Sequence, residues 1–393
     1  MDGVYRFDTE GGLHATVYVL DSGINADHSE FGNFDGSPGS RASMNYTTIP
    51  AEPLTDAGSH GTGVAAVIGG RDSGVAKQTT LVGIKVMSTS STNATSSGLL
   101  AGLLQVYNLE KNSPRPRSAI VNLSLATTSP PSSADTAYPE EKAIQQLMSM
   151  GIPVVVAAGN DNVNACRMIP ARVKGVITVA GTAYDPAAAK QVRWEKSNYG
   201  KCVQIFAPAT GIRTADAGPQ NSEFAIVQGT SFAAPYVSGA LAVLISQGYT
   251  GPQAWSYLKA RAQIDGVSGI SQGEPNLFLR LPPAIDVNPD PPVFGAGTDA
   301  DVFDSGAWSA DGVALDAAAS GNGNGNGGNP AIGSTASAIG DTEGGGGIST
   351  GGWVGIAIGI VAVVGAVAAV VATKLVRRRR HQRAQWTPVV AQD

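Results

Sequence analysis

A chain of 393 residues with a formal net charge of −5 and only 15 % charged residues has no basic surplus for gripping nucleic acid, and none is expected as a partner. It is long enough for one large domain with appendages. Two cysteines, Cys166 and Cys202, are too few for a disulfide scaffold and lack a metal-site spacing, so they read as buried thiols or one bridge, and no metal ligands are expected.

The N-terminus, Met1-Asp2-Gly3-Val4-Tyr5-Arg6, has no basic start followed by an apolar core and is not a signal peptide. Residues 15–20 form a run of apolar and β-branched residues bounded by Gly11-Gly12 and Asp21-Ser22-Gly23, which predicts a buried strand ending at Asp21. Residues 31–58 are rich in Gly, Ser, Asn, Pro and Thr and read as loop; Asn45-Tyr46-Thr47 is a glycosylation sequon. Residues 59–68 predict a short helix with His60 at its start. Two glycines in the first turn, Gly61 and Gly63, are poor helix formers and imply a close approach to the backbone.

Further strands are expected at 81–87, 118–125, 152–158, 175–180 and 202–206, with helices at 97–110 and 139–150. Strands alternating with helices predict an α/β fold whose central, mostly parallel sheet is flanked by helices on both faces. In such sheets the site lies at the carboxyl ends of the strands, where Asp21 and Asn160 fall. Gly229-Thr230-Ser231 then leads into an apolar helix reaching about Gly248, with Pro235 placed in its first turn. A serine there meets unpaired N–H groups and the positive end of a helix dipole.

Asp21, His60 and Ser231 occur in the order Asp…His…Ser, which is the order of subtilisin. Four motifs stand together: Val19-Leu20-Asp21-Ser22-Gly23, His60-Gly61-Thr62-Gly63-Val64-Ala65, Ala157-Ala158-Gly159-Asn160 and Gly229-Thr230-Ser231-Phe232-Ala233-Ala234-Pro235. They resemble the subtilisin-like serine peptidases, most closely the proteinase K branch, from about Tyr5 to Pro282. The resemblance implies a three-layer subtilisin-like fold and an endopeptidase acting on extended polypeptide. Ser231 would be the nucleophile, His60 the base, Asp21 its orienting carboxylate and Asn160 the oxyanion donor. One substrate-binding edge would be Ser124, Leu125 and Ala126, with Ala157, Ala158 and Gly159 beside it; the opposite edge would fall near Ser91-Thr92-Asn93. Cys166 and Cys202 match positions that are bridged in some relatives.

The sequence departs from the family pattern in places. Ala126-Thr127 stand where glycines are usual, which implies a narrower or reshaped S1 pocket. Gly63 and Tyr236 replace common histidines that belong to no triad. Gln204 stands where the branch often has a calcium-binding aspartate, so a structural calcium is an alternative and no cofactor is required. Asn93 is a second sequon beside the cleft, and Asn122, in a predicted core strand, is a third that should stay unmodified.

The expected organisation is a peptidase domain over 1–282, a disordered Gly/Pro/Asn-rich stalk over 283–350, a transmembrane helix over 351–373 and a basic tail over 374–393. Trp353–Thr373 is uninterruptedly apolar or small and about 30 Å long as a helix. Lys374, Arg377, Arg378, Arg379, Arg380 and Arg383 follow it, which puts the tail in the cytoplasm and the domain outside. Gly355 and Gly359 form a small-xxx-small pair that could support a dimer. An outward-facing family member needs a targeting signal and a prosegment, so the expectation is that the sequence is a truncated product or an incomplete gene model.

Two readings of function follow: a membrane-anchored endopeptidase, or a binding protein on the same fold whose cleft is blocked or serves only self-processing. A serine hydrolase of the Gly-x-Ser-x-Gly type is disfavoured, because that elbow is absent around Ser231.

Overall fold

The computed structural model describes residues 7, 10–33, 35–89, 94–113, 118–128 and 138–281. All lie in the first of two units into which the chain divides, Met1–Gly312. In chain order the elements are β1 (Thr16–Asp21), β2 (Ala42–Thr47), α1 (His60–Gly69), β3 (Thr80–Lys85), α2 (Ser96–Glu110), β4 (Ala119–Leu123), β5 (Thr127–Thr128), α3 (Pro139–Ser149), β6 (Val154–Ala157), β7 (Met168–Ile169), β8 (Ile177–Asp185) and β9 (Lys190–Arg193). They continue as β10 (Ile205–Pro208), β11 (Ile212–Asp216), β12 (Glu223–Val227), α4 (Thr230–Ser246), α5 (Gly251–Arg261), β13 (Gln263–Ile264), β14 (Val267–Ser268) and β15 (Leu277–Phe278).

The central sheet is ordered β13-β15-β10-β8-β6-β4-β1-β3-β2, with β9 on β8 and β14 on β9. From β10 to β2 every neighbouring pair is parallel. Each strand sends alternate side chains to opposite faces. On β1, Val17 and Val19 enter one core with α1 and α4, while Tyr18 and Leu20 enter the other with α2 and α3. Strands β4 and β6 divide the same way: Ile120, Val155 and Ala157 lie on the α1/α4 side, and Val121, Leu123, Val154 and Val156 on the other. This double burial is why these strands read as continuous apolar runs. The strand order reverses at β1, which pairs with β3 on one side and β4 on the other. A crevice outside the carboxyl end of such a strand is where ligands bind in open α/β sheets. Asp21 ends that strand.

Two features differ from the sequence reading. Residues 31–58 are not all loop: β2 pairs with β3 as an edge strand, with half its residues exposed, so it shows little apolar signal. Pro235 is not in the first turn. The helix starts at Thr230, so Pro235 is its sixth residue and removes the N–H that would bond the Ser231 carbonyl.

Cys166 and Cys202 form a disulfide across 36 residues. Closing a loop of that size stabilises by about 4 kcal/mol on the chain-entropy model. Among the described residues no helix is long and apolar enough to cross a membrane. The stalk, the apolar run at 353–373 and the basic tail lie outside the described residues.

Candidate active site

Helix α1 begins beside the end of β1 because the chain at 56–62 is tied to it. Asp56, nearly fully buried, takes four hydrogen bonds. Its Oδ1 accepts from Ser22 Oγ (3.0 Å) and Gly58 N (2.9 Å), and its Oδ2 accepts from Thr62 N (2.9 Å) and Thr62 Oγ1 (2.7 Å). Ser22 Oγ in turn accepts from Gly61 N at 3.0 Å. Gly61 must be glycine: a Cβ there would collide with Gly23 O and the Asp21 side chain. The residue before the helix, Ser59, sits at φ 64° and bonds Asp216 at the end of β11. These ties deliver His60 to Asp21.

His60 Nδ1 lies 2.7 Å from Oδ1 of Asp21, which is fully buried, whereas the imidazole keeps about a quarter of its surface exposed. Burial pulls the His60 pKa down. The charge and hydrogen bond of Asp21, with a further contribution from Asp56, outweigh this and hold it above its ordinary value. Asp56→Asn is therefore expected to lower the His60 pKa. The acid limb of kcat/KM should move to lower pH, since an imidazole serves as a base only when neutral. A limb that stays in place while activity falls at every pH would assign Asp56 a structural role alone.

Ser231 is the second residue of α4. Gly229 ahead of it has φ 143°, a region that other residues rarely adopt. Because Pro235 offers no N–H, the Ser231 carbonyl turns outward and accepts from Ser124 Oγ at 2.7 Å. Ser124 Oγ is itself held by Asn122 Nδ2 (2.9 Å), and Asn122 Oδ1 by Ser238 Oγ (2.8 Å). A buried polar chain thus fixes the start of α4 to the end of β4. Asn122 is fully buried in it, as the core-strand reading of its sequon requires.

The Ser231 hydroxyl donates to Ser124 O at 3.2 Å. No hydrogen bond joins it to His60 among the described residues. The His60–Asp21 contact is therefore formed while the Ser231 hydroxyl is turned to the Ser124 carbonyl. Such nucleophile–base bonds are often loose without substrate.

Asn160 ends the β6 loop and is exposed to the cleft. Its Oδ1 accepts from Thr230 N (2.9 Å) and Thr230 Oγ1 (2.8 Å), and Thr230 Oγ1 accepts from Gly159 N (3.1 Å). Two donors thus pin its carbonyl oxygen, and the residue lines the cleft together with Ser231.

The cleft measures about 690 Å³. His60, Ser231, Asn160, Ser124, Leu125, Ala126, Ala157 and Gly159 line it. Ala158 does not: its side chain is fully buried in the core, because the alternation along β6 turns it away. Asp161, Met168 and Gln228 line the cleft although no sequence signal marked them. Met168 arrives through the short pairing of β7 with β5. The departure at Gly63 has a packing reason. A Cβ there would press on Thr214 Cγ2 and the Phe232 ring, and Phe232 packs 5.6 Å from the His60 ring. Ser91-Thr92-Asn93 lie outside the described residues; Asn45 is exposed on β2 and accepts from Gln105 Nε2 at 2.9 Å.

The described residues contain no cluster of His, Cys, Asp or Glu able to hold a metal ion. Gln204 shares its surroundings with Lys174, Lys201 and Lys259. Those residues do not fit a hard dication, which takes six to eight oxygen ligands including carboxylates.

A buried carboxylate on a histidine, a serine on a helix start and an amide lining the same cleft match the constellation of the subtilisin type. The chain belongs to the subtilase family: residues 12–268 match Peptidase_S8, the Subtilase family. It is 37 % identical over 287 residues to an extracellular serine proteinase of Thermus sp. (strain Rt41A), covering 72 % of this chain and 63 % of that protein. It is 36 % identical over 276 residues to an alkaline proteinase of Hapsidospora chrysogena, covering 70 % and 63 %. The match to each of these relatives thus spans less than two thirds of its length. Among solved structures, a cold adapted subtilisin-like serine proteinase aligns with a TM-score of 0.60 at 31 % identity, covering 72 % of this chain and 94 % of that one.

Proposed function

We propose that the chain is a serine endopeptidase that hydrolyses extended polypeptides through an acyl-enzyme on Ser231. The observation that carries this reading is the convergence of Ser231, the His60–Asp21 pair and the pinned Asn160 amide on one cleft. A substrate strand would pair with the 124–126 edge, its P1 N–H taking the Ser124 carbonyl. That carbonyl is the resting acceptor of the Ser231 hydroxyl. Substrate binding would therefore free the hydroxyl to turn to His60 Nε2.

His60 takes the Ser231 proton as the oxygen attacks the scissile carbonyl, and Asp21 stabilises the imidazolium. The oxyanion meets Asn160 Nδ2 and the Ser231 backbone N–H, which the helix start leaves unbonded. His60 then hands its proton to the leaving amine. Water repeats the sequence on the acyl-enzyme. Ala126 and Met168, both on the cleft wall, would favour small or medium P1 side chains over large aromatic ones. Steady-state assays on peptides differing only at P1 test this. Cleavage of Ala- or Leu-containing peptides with at least tenfold lower kcat/KM for Phe or Tyr is expected, and failure to cleave any extended peptide would contradict the peptidase reading.

The apolar run at 353–373 and the basic residues after it support a single-pass anchor, with the catalytic domain outside or lumenal and the tail cytoplasmic. On this reading residues 1–282 are the catalytic domain, 283–350 a tether, and Gly355 and Gly359 a face for self-association. Asn45 and Asn93 would carry glycans in such a compartment. Release of the full-length chain from membranes by alkaline carbonate without detergent would contradict the anchor.

A further inference from the structure

Away from the catalytic cleft, a cavity of about 510 Å³ opens where three segments meet: residues 171–176 ahead of β8, residues 201–204 ahead of β10, and the later turns of α5. Four cations line it, Arg172, Lys174, Lys201 and Lys259. Among the described residues none that lines it is Asp or Glu. In a chain whose net charge is −5, this concentration of positive charge in a concavity is not a matter of composition.

Arg172 is engaged by Glu141 through Nε at 2.7 Å and through its second terminal nitrogen at 2.9 Å. Lys259 lies half-buried over the face of Trp255, its Nζ 5.3 Å from a ring centroid. Burial pushes its pKa down. A cation withdrawn from water without a counter-charge is costly, and a bound anion would remove that cost. Lys201 adds an exposed ammonium from the 201–204 segment, next to Cys202, whose bridge to Cys166 holds that segment in place.

The same facts exclude a calcium ion here. Gln204, at the position where a carboxylate would be needed, brings a neutral amide to a cavity ringed by ammonium and guanidinium groups. Like charges would repel a dication, and the hard-oxygen ligand set is missing.

We propose that this cavity is an anion site, taking a small tetrahedral oxyanion of the phosphate or sulfate class between Lys201 and Lys259. Arg172, paired with Glu141, and Lys174 complete the lining. The volume exceeds that of one such ion, so the group can be free or carried on a larger molecule as an ester.

The test uses the full-length chain carrying Ser231→Ala, which removes the proposed nucleophile and with it self-digestion as a complication. Thermal unfolding is followed while sodium phosphate replaces sodium chloride at constant ionic strength, with sodium sulfate as a parallel arm. The expected result is a saturable rise in the midpoint, about 3 °C at a tenfold excess over Kd. Combining Lys201→Gln with Lys259→Gln should weaken that Kd at least about tenfold, and Lys201→Gln alone, at an exposed side chain, should weaken it measurably. A response to sulfate as well as phosphate identifies any tetrahedral dianion as ligand, and a response to phosphate alone narrows the class. A midpoint that does not saturate, or a double variant that responds like its parent, overturns the proposal.

Discussion

Ser231→Ala is expected to lower kcat on a peptide substrate by on the order of 10⁶-fold, the loss known for a subtilisin stripped of its nucleophile. KM should change little, because on the proposed reading the 124–126 edge, not the hydroxyl, holds the substrate. Stability should hardly move. The Ser231 side chain makes one hydrogen bond, to Ser124 O, worth about 1 kcal/mol at most. The contacts that fix the helix start do not use the Ser231 side chain and stay: the Ser124 Oγ contact to the Ser231 carbonyl, and the Thr230 contacts to Asn160. A residual rate about 10³–10⁴-fold above the uncatalysed reaction should persist, because Asn160 and the binding edge still favour the tetrahedral state. Comparison of kcat, KM and the unfolding midpoint for parent and variant checks all three statements.

The second large effect is at Asn160. Asn160→Asp keeps an oxygen for Thr230 N and Thr230 Oγ1 but removes the N–H donors proposed for the oxyanion. The expected loss in kcat is about 10²–10³-fold, and the added negative charge opposes the oxyanion and pushes the loss toward the upper end. Asn160→Ala should lose a similar amount in kcat and, unlike the aspartate, about 1 kcal/mol of stability as well, since it leaves the Thr230 hydroxyl and N–H without their acceptor. Single-turnover acylation rates separate the two roles. If both variants acylate at the parent rate, Asn160 is a structural anchor for α4 and not an oxyanion donor.

Much of this was legible in the chain because the chemistry sits at the ends of the most apolar elements. Strands β1 and β6 are buried on both faces, so they read as unbroken runs, and Asp21 at the end of β1 and Asn160 in the turn after β6 stand out. Helices α1 and α4 are nearly all buried, which made His60 and Ser231 visible as polar residues at apolar helix starts. The elements that escaped are those with weak or mixed pattern. β2 is a half-exposed edge, β11 and β12 form an outlying hairpin, and β13 to β15 are two residues each.

The supporting contacts were not legible, because they join residues far apart in sequence. Asp56 acts on Ser22 and Thr62, Ser59 on Asp216, and Ser238 reaches Asn122 across 116 positions. Pro235 shows how a small error of register hides a mechanism. Placed in the first turn, it is only a compatible residue. Placed sixth, it frees the Ser231 carbonyl for Ser124 and so joins the nucleophile to the substrate edge.

The central claim, that Ser231 is a nucleophile activated by His60, is tested most directly by labelling the full-length chain with a fluorophosphonate. One equivalent of label on a peptide containing Ser231, absent from Ser231→Ala and slowed strongly by His60→Ala, is the predicted result. A correctly folded chain that takes up no label, or that labels equally well without Ser231, would contradict it.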